Sequence, residues 1–138
     1  MTTPTSNPPS SQRTLQQKRA ESAWTDIESV KTHELQKNYG SLVRGFPAMI
    51  QTDGLGPALA FLKAKSSKNP QHLELNRHIS EWVLERMGIT NQGDLLTWVM
   101  KQSTEKYRQA AVEALAYLMW LKRFAEAAGW GDEDRGGR

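Results

Sequence analysis

Apolar residues recur along this chain at helical spacing, and no stretch shows period-two alternation bounded by turns. That pattern predicts helices and no sheet. Thr14 and Gln17 have capping-box spacing, so a first helix starts near Thr14. Its inward stripe is Ala20, Ala23, Trp24, Ile27 and Val30. The stripe weakens beyond Lys31, and Leu35 and Tyr39 can rejoin it, giving a helix of about 25 residues. Gly40 and Gly45 are read as breaks, leaving 41–44 at best one helical turn.

The stretch 46–65, FPAMIQTDGLGPALAFLKAK, organises the rest. Pro47 can open its first apolar run, because a first helical position needs no N–H donor. Asp53-Gly54 stops that run, and Gly56-Pro57 starts the next. There Leu55, Ala58, Leu59 and Leu62 share one face, while Pro57, Ala60, Phe61 and Ala64 make the opposite face apolar too. A helix apolar on two sides is either central to its domain, the preferred reading, or buried also by a partner.

After a polar link at 66–69, Asn69-Pro70 signals another helix. It buries Leu75, Ile79, Trp82 and Val83 and stops at Gly88. A linker at 89–93 precedes a short helix from near Asp94, marked by Leu95, Leu96, Val99 and Met100. Ser103 caps the last helix, which ends at Gly129. Its main stripe is Tyr107, Ala110, Ala114, Tyr117, Leu118, Leu121 and Ala125. A second row, Val112, Ala116, Met119, Trp120 and Arg123, lies on the far side. That row is either an exposed protein interface, for which Trp, Met and Arg are the usual core residues, or a face sandwiched between neighbouring helices. The expectation is an all-α, single-domain bundle of about six helices over 13–129. Residues 1–12 read as a disordered tail and 130–138 as a flexible one.

GLGPALAFLKAKS, the preceding YGSLVRGFPAMIQTD and the later EALAYLMWLKRFAEA carry a family resemblance. The text from about Arg13 to Ala128 resembles the small α-helical subunit of the type III-B CRISPR effector, the Cmr or RAMP-module complex, of which it would be the fifth subunit. These are helix-and-turn signatures, not catalytic motifs. The resemblance implies a structural, non-catalytic subunit for antiviral defence. Copies would stack head to tail as a filament along the repeated backbone subunit and contact the large subunit. There they would help hold crRNA-paired or displaced target RNA, while cleavage belongs to the backbone subunits.

Charge fits that picture loosely. The chain is 138 residues long with a formal net charge of +3, mildly basic rather than the profile of a DNA-wrapping protein. Arg44, Lys63, Lys65, Lys68, Arg77, Lys122 and Arg123 are the candidate RNA contacts, with Lys106 and Arg108 near them in character. No RNA-recognition, KH or zinc-knuckle signature accompanies them, so contact would be to phosphate and shape. Phe61, Val112, Ala116, Met119 and Trp120 are the candidate protein contacts.

Chemistry is poorly supplied. There is no cysteine, and the three histidines, His33, His72 and His78, form no metal motif, so no metal or cofactor is expected. His33 and Glu34 diverge, and His72 and His78 lie on different helix faces, so an RNase site lacks converging partners. Gly54-x-Gly56 lacks the strand and Lys-Ser/Thr of a phosphate loop. The carboxylates read as solvated, and Asp132-Glu133-Asp134 as a solubilising end. No apolar run approaches a membrane span and no secretory signal is visible, so a cytoplasmic location is expected. A helical adaptor that binds only protein is the alternative reading.

Overall fold

The computed structural model describes residues 13–90 and 93–130; the expectations for 1–12, for 131–138 and for the acidic 132–134 lie outside them, while Trp130, assigned to the flexible C-terminal tail, is described and packs half-buried against the core. Six helices follow one another: α1 (Leu15–Glu28), α2 (His33–Asp53), α3 (Leu55–Lys65), α4 (Pro70–Arg86), α5 (Leu95–Val99) and α6 (Thr104–Ala127). No strand occurs among the described residues, and the architecture is an all-α bundle.

Local chemistry sets most boundaries. Thr14 accepts the Gln17 N–H at 3.1 Å while the Gln17 side chain accepts from the Thr14 N–H at 2.8 Å, closing the capping box of α1. Asp94 and Ser103 cap α5 and α6 in a one-sided way, accepting from Thr97 and Lys106. Gly54 adopts φ 95°, which lets α2 end and α3 begin across one residue. Asn69 precedes α4 as expected, but its side chain donates back to the Lys65 carbonyl at 3.1 Å and does not cap.

Three readings of how the helices divide and where they sit are overturned. The long first helix is two helices, separated at 29–32. Thr32 accepts the Leu35 N–H, and the Gln36 side chain donates to the Val30 carbonyl at 2.9 Å, so both ends of the break are satisfied locally. Gly40 and Gly45 do not break anything; both lie inside α2, as does Pro47, between the buried Val43, Phe46 and Ile50. Gly40 is instead a close approach: a Cβ there would stand 2.5 Å from the Trp130 carbonyl oxygen. Finally, α3 is not central. Leu55, Ala58, Leu59 and Leu62 are buried, but Pro57, Ala60 and Ala64 face outward.

The central helix is α4, which packs against each of the other five. It buries Leu75, Ile79, Trp82, Val83 and Leu84, and also His72, Asn76, His78 and Ser80. The sequence stripe names only Leu75, Ile79, Trp82 and Val83, so it does not anticipate the burial of these polar residues. Ser80 is satisfied in the core by accepting the Leu95 N–H at 3.0 Å, which holds the start of α5. Trp98 of α5 is buried and Met100, the residue that ends the helix, is 66% exposed, although Met100 is one of the expected core residues there. Trp24, placed in the inward stripe of α1, is 46% exposed and meets the ring of Phe124 edge-on at 5.3 Å.

Candidate protein and RNA interface

α6 has two faces. Ala110, Ala114, Tyr117, Leu118, Leu121 and Ala125 are buried, as their 3.6-residue spacing requires. On the other side Val112 is 60% and Met119 50% exposed, with Arg123 exposed and Ala116 and Trp120 half-buried. The sandwiched reading of this row is therefore not met. Between α6 and α1 runs an open groove of about 560 Å³, lined by Leu115, Ala116, Met119, Trp120, Arg123, Gln16 and Arg19. Gln16, exposed on the α1 side, bridges the two helices: its side-chain oxygen accepts from Trp120 Nε1 at 3.2 Å and from Arg19 Nη1 at 3.0 Å. Phe61, the fifth proposed protein contact, is elsewhere, edge-on to His72 of α4 at 5.4 Å.

The candidate RNA contacts do not converge on one surface. Lys63, Lys65 and Lys68 cluster on α3 and the turn after it. Lys63 pairs with Asp94 at 3.1 Å, whereas Lys65 and Lys68 have no carboxylate partner among the described residues. Lys65 sits 5.9 Å from the Phe61 ring centre, leaving its ammonium on the surface. Arg77, on α4, is engaged by Glu74 at 2.5 Å and Glu81 at 3.6 Å. Arg123 pairs with Glu126 at 3.0 Å on α6, beside half-buried Lys122. Arg44, on α2, donates to the Trp130 carbonyl at 3.4 Å.

Two carboxylates that read as solvated are not. Glu113, on α6, accepts from Arg19 Nε and Nη2 of α1 at 2.7 and 2.8 Å and from Trp82 Nε1 of α4 at 2.7 Å. Burial works to raise its pKa, but those hydrogen bonds outweigh it and hold the carboxyl below the usual range. Asp26 accepts the Tyr117 hydroxyl, and burial pushes its pKa up to about 6 against that bond. Sequence spacing gave no hint of either, since their partners stand far along the chain. His72 is buried with Nδ1 unpartnered and meets Phe61 of α3, whereas His78 lies in the core against Tyr39 of α2. Among the described residues no group of three His, Asp or Glu side chains is arranged to hold a metal, and no helix is long and apolar enough to cross a membrane.

The model of the family described as "CRISPR-associated protein (Cas_Cmr5)" matches residues 15–128, from the first residue of α1 to the residue after α6. The fold is similar to the crystal structure of a CRISPR-associated Cmr5 family protein from Thermus thermophilus. That match has a TM-score of 0.68 at 25% identity and covers 83% of this chain and 97% of the other. With nearly every described residue inside the match, the chain belongs to the Cmr5 family, the small subunit of the type III-B CRISPR Cmr complex.

Proposed function

We propose that this chain is a non-catalytic structural subunit of the Cmr effector that uses two separate surfaces. The outer row of α6, with Val112, Ala116, Met119 and Trp120 beside the α1–α6 groove, takes a protein neighbour, whether another copy in a head-to-tail stack or a backbone or large subunit. The exposed apolar row in a chain of this family is the observation that carries the reading: Val112 and Met119 stand exposed next to half-buried Ala116 and Trp120, and a contiguous apolar row with Trp and Met has the composition of an interface core. The basic α3 surface, with Lys65 and Lys68 foremost and Lys63 beside them, contacts the phosphates of crRNA or target RNA without reading bases. Arg44, Arg77, Lys122 and Arg123 lie on other elements and add long-range attraction more than a shared groove.

A salt series of RNA binding tests the RNA half. Binding that neutralises Z phosphates of a single strand falls with a log–log slope of about −0.7 Z. We expect a measurable slope that shrinks when Lys63, Lys65 and Lys68 are changed to Glu. A salt-independent result, or none in both the free and the assembled subunit, leaves the protein-only adaptor. The pairing of Lys63, Arg77 and Arg123 with carboxylates is the observation favouring that adaptor.

A further inference from the structure

Neither surface uses the polar cluster beneath them, where α1, α2, α4 and α6 meet. At its centre is His78, on α4 and 1% exposed. Its Nδ1 lies 2.7 Å from the Tyr39 hydroxyl of α2. Tyr39 is fully buried, and that nitrogen is its hydrogen-bond partner among the described residues. A buried hydroxyl proton without an acceptor forfeits its hydration for nothing in return. Tyr39 therefore donates and Nδ1 accepts, which leaves the imidazole neutral with its proton on Nε2. Arg77 Nη2, 3.4 Å from Nε2, disfavours a charged ring as well. Around Nε2 stand Ser29 Oγ at 3.4 Å, Glu74 Oε1 at 3.6 Å and Asp26 Oδ1 at 3.9 Å.

Asp26, on α1, is the other half. From α6, Tyr117 donates to it and Ser22 of α1 lies 2.8 Å from the same hydroxyl. From α4, Glu74, Arg77 and Glu81 face it, so three carboxylates share one guanidinium. The cleft on its solvent side adds Lys18, Glu21, Glu85 and Arg86. A proton on Asp26 relieves the crowding of negative charge.

We propose that Asp26 and His78 act together as a proton-compensated lock between α1 and α4, so that acidification which would shift stability in opposite directions through either residue alone leaves the seam nearly unchanged. Asp26 rises from 3.8 to about 6 on folding, so by itself it favours the fold increasingly as pH falls from about 6 toward 3.8. His78, lowered from 6.5 to about 3 by burial and then by Arg77, disfavours the fold as pH falls below 6.5. Between these limits the folded and unfolded chains each hold one proton on the pair. In the fold it sits on the carboxyl; in the unfolded chain it sits on the imidazole. Folding relocates the proton rather than taking one up.

Urea unfolding from pH 7.5 to 4.5, with each variant read against the parent chain so that other carboxylates cancel, tests this. Over that range Asp26→Asn should lose folding equilibrium constant, and Tyr39→Phe/His78→Leu should gain it, each by roughly one to two powers of ten relative to the parent. The double variant removes the hydroxyl that His78→Leu alone would orphan. Shifts in the same direction, or none, overturn the lock. Imidazole nitrogen chemical shifts of the parent chain decide the matter if a variant does not fold. A neutral Nε2–H ring for His78 at pH 5 is expected, and an imidazolium there contradicts the proposal. Both readouts need neither RNA nor a partner, so they stand or fall apart from the surface assignments.

Discussion

α3 and α1 are docked on the same bundle by different means. α3 buries Leu55, Ala58, Leu59 and Leu62 and adds two polar contacts, the Gly56 N–H to the Tyr107 hydroxyl at 2.7 Å and the largely exposed Lys63–Asp94 pair at 3.1 Å. α1, three residues longer, buries only Ala23 and Ile27. It is held instead by Arg19 on Glu113, by Asp26 on Tyr117 and by Ser22 on the same tyrosine. Burial is non-directional and tolerates small shifts; a bidentate guanidinium–carboxylate pair fixes position. The helix that forms one wall of the candidate protein groove is thus positioned by directional bonds. The helix that carries the lysine cluster is positioned by packing.

The comparison can be broken from either side, and the packed side should break hardest. Leu59→Ala removes a fully buried side chain and should cost about 2–5 kcal/mol in urea unfolding. Glu113→Gln leaves the shape but removes the charge that Arg19 and Trp82 share; a loss of about 1–3 kcal/mol is expected. Its pH signature separates it from packing. Glu113 is held low in the fold, so its contribution is present above the ordinary carboxylate range and is lost as pH falls through its folded value. The Gln variant should lack that loss, which unfolding curves at pH 7 and pH 3 would reveal. Thr14→Ala, which opens the capping box, should cost about 1 kcal/mol and show as faster amide exchange confined to the first turn of α1.

The same contrast explains what could be read from the chain alone. Caps and stops are local, so Thr14, Gly54, Asp94, Ser103 and the end of α6 before Gly129 were legible, as was the α6 stripe from Ala110 to Ala125. The exposed row Val112–Met119–Arg123 was legible as a second face, though not which way it pointed. Periodicity placed α3 on its correct face but could not tell an outer helix from a central one, because Ala and Pro are counted as apolar without needing burial. It gave the extent and buried stripe of α4 but not its central place, because His78, Asn76 and Ser80 are buried there with partners that include groups on other elements. Glu113 and Arg19 stand too far apart for any local pattern to join them. Thr32 was a usable cap signal; a stripe that only weakens beyond Lys31 concealed the break before it.

The account turns on the outer face of α6 being covered in the assembled complex. The most direct measurement is incorporation of a Val112→Glu/Met119→Glu variant into the effector reconstituted with its other subunits, in competition with the parent chain. Both side chains are exposed, so the free variant should unfold at the parent's midpoint. We predict at least about a tenfold loss of incorporation, the discrimination expected when charge is placed in the core of a protein contact. Equal incorporation of variant and parent would contradict the assignment of this face.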